Sequence, residues 1–241
     1  MYDILKRLFP RRLLLAFEAP IRTVIALFYR GDRVSCPICG GRFNHFIARP
    51  DDLMCPRCGS LSRNRRLFLL LRDEFLKPGA RVLDFSPSRS LYHAMKRRRD
   101  IDYIASDFAG EFEAENAYDI TQLPLANGSI DLLVCYHILE HVENDTSAIR
   151  EMRRVLRSKG VALVQTPFKD GDIDEDPTVR SPEARAARFG QWDHVRTYSV
   201  VGLARRLEAH GFRVEQRQFD SGLPDEQGLS RAETVLIARS G

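Results

Sequence analysis

Five cysteines are the residues of this 241-residue chain whose types and spacing most directly indicate chemistry. Four of them form two Cys-Pro-x-Cys-Gly pairs, separated by fifteen residues: Cys36 with Cys39 and Cys55 with Cys58. Four thiolates at this spacing suit tetrahedral Zn²⁺ and leave no position for water, which predicts a structural ion. The fifth, Cys135, lies in an apolar stretch, so we expect a buried core residue rather than a ligand or nucleophile.

Carboxylates recur where short apolar stretches end. Asp84 lies in VLDF, and Asp107 follows DYIAS, 23 residues after Asp84. Asp119 comes before another apolar stretch. Ligands of open parallel sheets bind beyond the carboxyl ends of the strands, and a carboxylate at roughly this offset binds ribose hydroxyls in dinucleotide folds. The serines after Asp84, Ser86 and Ser88, can cap the free amides of a following helix.

The elements that would position these side chains alternate along the chain. Strands are predicted at 82–85, 102–106, 130–136, 161–166, 212–216 and 234–238. Helices are predicted at 63–77, after Ser90, from Asn144 or Asp145 to Arg157, after Ser181-Pro182, and from Ser199 to Gly211, with Gly160 as a left-handed stop. Such alternation predicts an α/β fold with a mostly parallel, doubly wound sheet.

Charge is distributed unevenly along the chain. Residues 1–66 carry 13 basic and 5 acidic side chains, a net +8, whereas residues 67–241 carry 24 and 28, a net −4. We therefore expect three parts: a basic amphipathic helical arm at 1–33, broken at Pro10 and Pro20, a zinc ribbon at 34–62, and a catalytic domain at 63–241. The arm either packs on the main domain or lies on a membrane surface. No stretch is predicted to span a bilayer or to act as a secretory signal, so the expected location is the cytoplasm, with peripheral contact at the inner membrane through the arm left open.

Several sequence stretches together identify a family. The segments DITQLPL and HILEHV, around an apolar strand, resemble type 11 class I S-adenosylmethionine-dependent methyltransferases. The segments CPRCGSLSRNRR, VLDFSPS, EDPTVRSPEAR and FGQWDHVRTYS resemble a bacterial branch of that family with a zinc ribbon before the methyltransferase domain. The resemblance covers roughly residues 30–240. It implies a Rossmann-like sheet of seven strands, S-adenosylmethionine as the methyl donor and a structural zinc ion.

The resemblance also implies roles for particular residues. The methionine part of the donor would lie against Asp84, Phe85, Ser86, Pro87 and Ser88. The ribose would be bound by Asp107 and the adenine edge by Asp119 and Ile120, and the end of the fourth strand would contribute Tyr136 and His137 near the sulfonium. The family pattern Asp-x-Gly-x-Gly-x-Gly is absent here, because no glycine lies between Asp84 and Gly110. We interpret this as a variant of the motif.

The acceptor side is expected around residues 167–198. His194 and His137 are the candidate catalytic residues, since a hydroxyl acceptor gains from a histidine base; the alternative for His194 is a structural role. Candidate acceptor-binding residues are Gln191, Asp193 and Arg196. Arg188 and Arg196 could hold an anionic group, or could form ion pairs with the acidic segment 170–176. That segment does not match a calcium loop and is expected to be a lid.

Three functions compete. The first is an S-adenosylmethionine-dependent methyltransferase (EC 2.1.1.-) acting on a hydroxyl of a small molecule or glycan. The second is an RNA methyltransferase in which the zinc ribbon and Arg63, Arg65 and Arg66 bind phosphates. The third is a non-catalytic zinc-ribbon adapter on a degenerate methyltransferase fold, suggested by the missing glycines.

Overall fold

The computed structural model describes residues 11–50, 52–220, 225–229 and 232–241. The chain divides into two compact units. One unit comprises the described residues up to Glu74 together with 88–94 and the described residues of 220–232; the other comprises 75–87, 95–219 and 233–241.

The larger unit is built on one six-stranded sheet. Its strands are β5 (Arg81–Phe85), β6 (Asp102–Ser106), β7 (Ile130–Tyr136), β8 (Leu156–Gln165), β11 (Phe212–Phe219) and β12 (Glu233–Ser240). The spatial order is β11-β12-β8-β7-β5-β6, in which β6, β5, β7 and β8 are parallel while β12 and β11 form an antiparallel hairpin. The nearly continuous apolar stretch of β7 is buried on both faces, as expected for an inner parallel strand.

Helices α4 (Asp145–Val155) and α6 (Val200–Glu208) pack against this sheet. In the chain, α3 (Arg89–Lys96) lies between β5 and β6, and α5 (Pro182–Phe189) lies between α4 and α6. The predicted caps are confirmed, since Asn144, Ser181 and Ser199 each accept a hydrogen bond from a backbone amide in the first turn. The short strands β9 (Asp174–Glu175) and β10 (Arg196–Thr197) pair outside the main sheet. Cys135 is fully buried in the core, as predicted, and burial raises the pKa of its thiol.

The smaller unit holds helix α1 (Arg11–Phe28), the hairpin β1 (Arg30–Ser35) with β2 (Arg42–Phe43), the hairpin β3 (Ile47–Arg49) with β4 (Asp52–Met54), and α2 (Ser62–Leu70). A π-helical turn at Leu71–Phe75 follows α2. Near its end α1 exposes four apolar side chains, Ile21, Val24, Leu27 and Phe28. Within the described ranges, no helix is both long and apolar enough to cross a membrane.

Three sequence predictions were wrong. The described part of the sheet has six strands instead of seven, because the chain beyond β6 makes only an isolated parallel bridge between Ser106 and Asn116. Helix α1 continues through the predicted break at Pro20, an exposed position where water can solvate the carbonyl that loses its donor; Pro10 lies outside the described residues. The left-handed residue after α4 is Lys159 (φ 65°), whereas Gly160 is required because a Cβ there would lie 2.9 Å from the carbonyl oxygen of Arg157.

Candidate functional site

The four paired cysteines converge at one point in the smaller unit. Their Sγ atoms all lie within 4.8 Å of one another. The separation is 3.6 Å between Cys36 and Cys58 and 3.7 Å between Cys39 and Cys55. Four sulfurs at about 2.3 Å from a tetrahedral zinc ion would be about 3.8 Å apart, so the arrangement fits Zn²⁺ without rearrangement.

The local sequence explains why the sulfurs converge. Each pair is followed by a left-handed glycine, Gly40 (φ 67°) and Gly59 (φ 72°), whose amide donates to the carbonyl of the first cysteine of its pair. The amide of Cys58 also donates to Sγ of Cys55 at 3.5 Å. The hydrogen bond with Cys39 lowers the pKa of Cys36, whereas the hydrogen bonds with Cys36 raise the pKa values of Cys39 and Cys55. Thiols this close cannot all ionise without a cation between them, which is the chemistry that a metal supplies.

The loop after β5 supplies the first part of the expected donor site. Ser86, directly after the strand, has φ 48°, a left-handed conformation that glycine adopts far more readily. Its amide donates to the carbonyl of Ser106 at 2.8 Å, and its hydroxyl donates to Oδ1 of Asp107 at 2.7 Å. The serine therefore adopts the conformation expected of the first family glycine, and Asp107 holds it there. Further along, Ser88 accepts a hydrogen bond from the Leu91 amide at the start of α3.

Asp84 is buried within the sheet. Its Oδ2 accepts a hydrogen bond of 2.8 Å from the hydroxyl of Tyr103 on β6. Burial raises the pKa of Asp84 to about 7, and the hydrogen bond from Tyr103 lowers it by less. The neighbouring Phe85 belongs to the apolar core, so the structure places the side chains of both residues inside the protein.

Asp107 and Asp119 lie at the same edge of the sheet as Ser86. The amide of Asp107 donates to the carbonyl of Asn116, which joins the segment 116–119 to the end of β6. Asp107 is buried, and its Oδ2 accepts from the amide of Phe112 at 2.9 Å. Asp119 is exposed and accepts hydrogen bonds from the amide and hydroxyl of Thr121. Ile120 is a core residue.

The end of β7 carries a second strained residue. His137 follows Tyr136 directly and has φ 56°, with its amide donating to the carbonyl of Gln165 at 2.9 Å. Since β5 and β7 are neighbouring parallel strands in register, Ser86 and His137 lie at the same sheet edge. Left-handed conformations in residues other than glycine cost about 1–3 kcal/mol and concentrate at functional sites. Apart from Lys159, these are the only such residues in the described part of the chain.

His194, the candidate base, is buried beside His141. Their rings meet edge to face with centroids 4.7 Å apart. Burial and the neighbouring His141 lower the pKa of His194, which favours the neutral imidazole. Nδ1 of His141 lies 3.2 Å from Oδ2 of Asp193, whose Oδ1 accepts from the exposed Gln191.

Both arginines considered for an anionic acceptor pair with carboxylates of the acidic segment. Arg196 is buried and donates to Glu175 at 2.9 Å and to the carbonyls of Leu139, Val142 and Glu143. Arg188 pairs with Asp174 at 2.7 Å and with Asp176 at 2.5 Å. The alternative of ion pairing with the acidic segment is therefore seen at both positions.

Sequence reasoning missed the network behind Arg196. Asp145 accepts hydrogen bonds of 2.5 Å from both Arg206 and the buried Tyr198, and Arg206 also pairs with Glu175. Hydrogen bonds from Arg206 and then Arg196 lower the pKa of Glu175 to about 2. The sequence signal was weak, because these residues are spread from 145 to 206.

A cavity of about 680 Å³ lies beside the acidic segment. Charged residues of both signs and a few apolar ones line it: Glu143, Glu175, Asp176, Pro177, Val179, Arg180, Arg185, Val195 and Arg196. This volume is typical of sites for small molecules.

Two of the three arginines considered for RNA phosphates are buried. Arg65 donates to the carbonyls of Leu53, Ser60, Gln227 and Gly228, and Arg66 donates to the carbonyl of Leu229. These hydrogen bonds satisfy donors of both side chains inside the smaller unit. Arg63 is half-buried.

Comparisons with known proteins identify the family. Residues 60–217, more than half of the chain, match the family model described as "Methyltransferase domain". The chain therefore belongs to the methyltransferase domain family, which confirms the resemblance and the Rossmann-like fold.

Individual relatives agree with this assignment. A Mycolicibacterium smegmatis protein named "Probable S-adenosylmethionine-dependent methyltransferase" is 31% identical over 97 residues, which are 40% of this chain and 34% of that protein. The uncharacterized methyltransferase YcgJ of Bacillus subtilis is 27% identical over 126 residues, 51% of this chain and 48% of its own. The chain thus spans about a third to a half of these relatives. The structure of an S-adenosylmethionine-dependent methyltransferase from Archaeoglobus fulgidus shares the fold, with a TM-score of 0.53 and 17% identity over 76% of this chain and 95% of that one.

Proposed function

We propose that this protein is an S-adenosylmethionine-dependent methyltransferase that acts on a hydroxyl group of a small molecule or glycan. The observation that carries the proposal is the pair of strained residues, Ser86 and His137, at one edge of the parallel sheet in a member of the methyltransferase family. Ligands of such sheets bind at this edge. The missing glycines do not favour the non-catalytic adapter, because Ser86 adopts the left-handed conformation that glycine adopts readily.

The donor site extends from this edge. Backbone and side chains of Ser86, Pro87 and Ser88 border the methionine part, with Asp84 and Phe85 supporting the loop from within. Asp107 binds the ribose through lone pairs that its bonds to Ser86 and Phe112 leave available, since a carboxylate accepts about four hydrogen bonds. The exposed Asp119 and the backbone of Ile120 face the adenine, while Tyr136 and His137 close the site beside the sulfonium.

The bound donor supplies a methyl group on a positively charged sulfur. The protein's part is to position the acceptor in line with it and to accept the hydroxyl proton. His194 and His137 are the candidate bases, since burial favours the neutral form of His194. Gln191, Asp193 and Arg196 shape the acceptor side, where Arg196 acts mainly by holding Glu175 and the carbonyls at 139–143.

The cavity beside residues 175–180 supports the proposed acceptor class. A volume of about 680 Å³ suits a molecule of metabolite or sugar size, and mixed charges favour a polar, uncharged or zwitterionic one over a polyanion. The buried Arg65 and Arg66 do not support an RNA grip. We assign a structural Zn²⁺ to Cys36, Cys39, Cys55 and Cys58, with no open position for chemistry.

Isothermal titration with S-adenosylmethionine and S-adenosylhomocysteine tests the donor site. We expect binding by the wild type and a weakening of about 10- to 100-fold for Asp107→Ala, since hydrogen bonds to charged groups contribute about 1.5–3 kcal/mol. Asp107→Asn keeps an acceptor for the hydroxyl of Ser86. Its comparison with Asp107→Ala therefore separates disruption of the loop from loss of the ribose contact. Asp100→Ala, at an exposed ion pair with Arg98, is the control.

The outcomes distinguish failure of the proposed function from failure of the ribose assignment. No binding by the wild type at millimolar donor refutes the function. Wild-type affinity in Asp107→Ala refutes the ribose assignment alone. Methyl transfer from labelled donor to pooled glycans and metabolites, but not to RNA, is the expected acceptor profile.

A further inference from the structure

A second group of potential metal ligands lies in the larger unit, away from the cysteines in sequence. Glu140, His141 and His194 each present one ligand atom, and these atoms lie within 4.8 Å of one another. Glu140 and His141 belong to a short 3₁₀ turn after β7, and His194 comes from the segment that leads into β10. The amide of Val195 donates to the carbonyl of Glu140 at 2.9 Å, and this hydrogen bond links the two segments.

The carboxylate of Glu140 is the unusual member of the group. Its side chain is 1% exposed, and neither carboxylate oxygen has a hydrogen-bond partner among the described residues. Nδ1 of His137 lies 3.4 Å from Oε1 of Glu140. A buried carboxylate without donors is costly unless a cation or proton compensates it. A metal ion bound at this site would supply the compensating positive charge.

The two histidines are oriented as metal ligands usually are. Nδ1 of His141 faces Oδ2 of Asp193 at 3.2 Å, and Nδ1 of His194 faces the carbonyl of Phe189 at 3.3 Å. A carboxylate or a backbone carbonyl on one ring nitrogen is the common partner of a metal-binding histidine, because it fixes the tautomer and leaves the other nitrogen to bind. Nε2 of each ring is the nitrogen left for a ligand.

We propose that Glu140, His141 and His194 bind a divalent transition-metal ion, distinct from the ion of the cysteine cluster. Two imidazoles and one carboxylate suit Zn²⁺ and similar first-row ions, and three protein ligands leave a position open for water or substrate. His141 is about one third exposed, which gives the ion a route in. Since His194 would then be a ligand, the general base of the proposed reaction would be His137 or a metal-bound water.

Metal stoichiometry tests the site without reliance on turnover. Protein carrying one equivalent of zinc in the cysteine cluster is titrated with Zn²⁺ by calorimetry, and total zinc is then measured by mass spectrometry after gel filtration. We expect about one further equivalent in the wild type. Glu140→Gln and His194→Gln are expected to lose that equivalent and keep the first. His210→Gln is the control, because His210 is not one of the proposed ligands. Its Nδ1 contacts the backbone carbonyl of Arg206.

A second readout uses Co²⁺. Cobalt in the cysteine cluster gives intense thiolate charge-transfer bands, whereas cobalt on histidine and carboxylate ligands gives only weaker visible bands. We expect Glu140→Gln to remove the weaker bands alone, with an unchanged circular dichroism spectrum.

Two results would overturn the site: a wild type that takes up only one zinc ion, or a Glu140→Gln variant that still takes up two. Donor binding on the same samples is measured separately. A chain that binds S-adenosylmethionine but only one zinc ion would refute the second metal site and leave the proposed function standing.

Discussion

Arg65 offers the sharpest stability prediction, because a single buried guanidinium joins three segments of the smaller unit. Its side chain donates to the carbonyls of Ser60 at 2.5 Å, Leu53 at 2.9 Å, Gln227 at 2.8 Å and Gly228 at 2.6 Å. It also lies 4.3 Å from the ring centroid of Phe46. Truncation of Arg65 would remove this donor from all four carbonyls.

The size of the effect follows from this geometry. Each hydrogen bond from a charged group contributes about 1.5–3 kcal/mol net, but water rehydrates part of what a truncation exposes. We therefore expect Arg65→Ala to lower the free energy of unfolding of this unit by about 3–5 kcal/mol. Arg65→Lys keeps the charge and has three donors on a single nitrogen, so it recovers only part of that loss.

Urea unfolding measures this loss, with release of zinc to a chromogenic chelator as the probe of the smaller unit. Trp192, the only tryptophan, lies in the larger unit and reports on that unit separately by fluorescence. Arg63→Ala, on the same helix but half-buried, is the matched control. If Arg65→Ala releases zinc at the same urea concentration as Arg63→Ala, the role assigned to this arginine is refuted.

Three further predictions concern other parts of the chain. The pKa of Glu175 is lowered to about 2, so its ion pairs contribute stability above pH 4.5 that is lost as the pH falls towards 2; acid titrations of the wild type and Glu175→Gln are expected to converge near pH 2, and a constant difference would contradict this. Cys36→Ser is expected to lower zinc content and thermal stability, whereas equal stability without zinc would contradict a structural ion. If helix α1 contacts anionic lipid, Leu27→Ser with Phe28→Ser is expected to reduce sedimentation with phosphatidylglycerol vesicles, and unchanged sedimentation would argue against it.

Much of the sheet could be predicted because strand burial leaves a direct signal. The stretch 130–136 is nearly all apolar, and β7 has those bounds. The starts of three helices could also be predicted, from Asn144, Ser181 and Ser199, because capping is a local interaction. The cysteine cluster followed from spacing alone.

Other features depend on tertiary contacts that no local pattern reports. Charged residues are usually exposed, so the burial of Arg65 and Arg196 was not expected. Ser86 adopts a left-handed conformation because Asp107, 21 residues away, holds its hydroxyl. The left-handed conformation expected of Gly160 is adopted by Lys159 instead. Gly160 is needed for a different reason, because its backbone lies close to that of Arg157. The missing seventh strand likewise reflects how the segment after β6 folds onto Asp107.

A crystal structure with S-adenosylhomocysteine tests the central claim most directly. We expect the ligand at the carboxyl edge of β5, β6 and β7, with its ribose hydroxyls on Asp107, its adenine beside Asp119 and its sulfur facing His137. A ligand bound elsewhere on the protein, or a wild type that cannot be loaded at millimolar concentration, would contradict it.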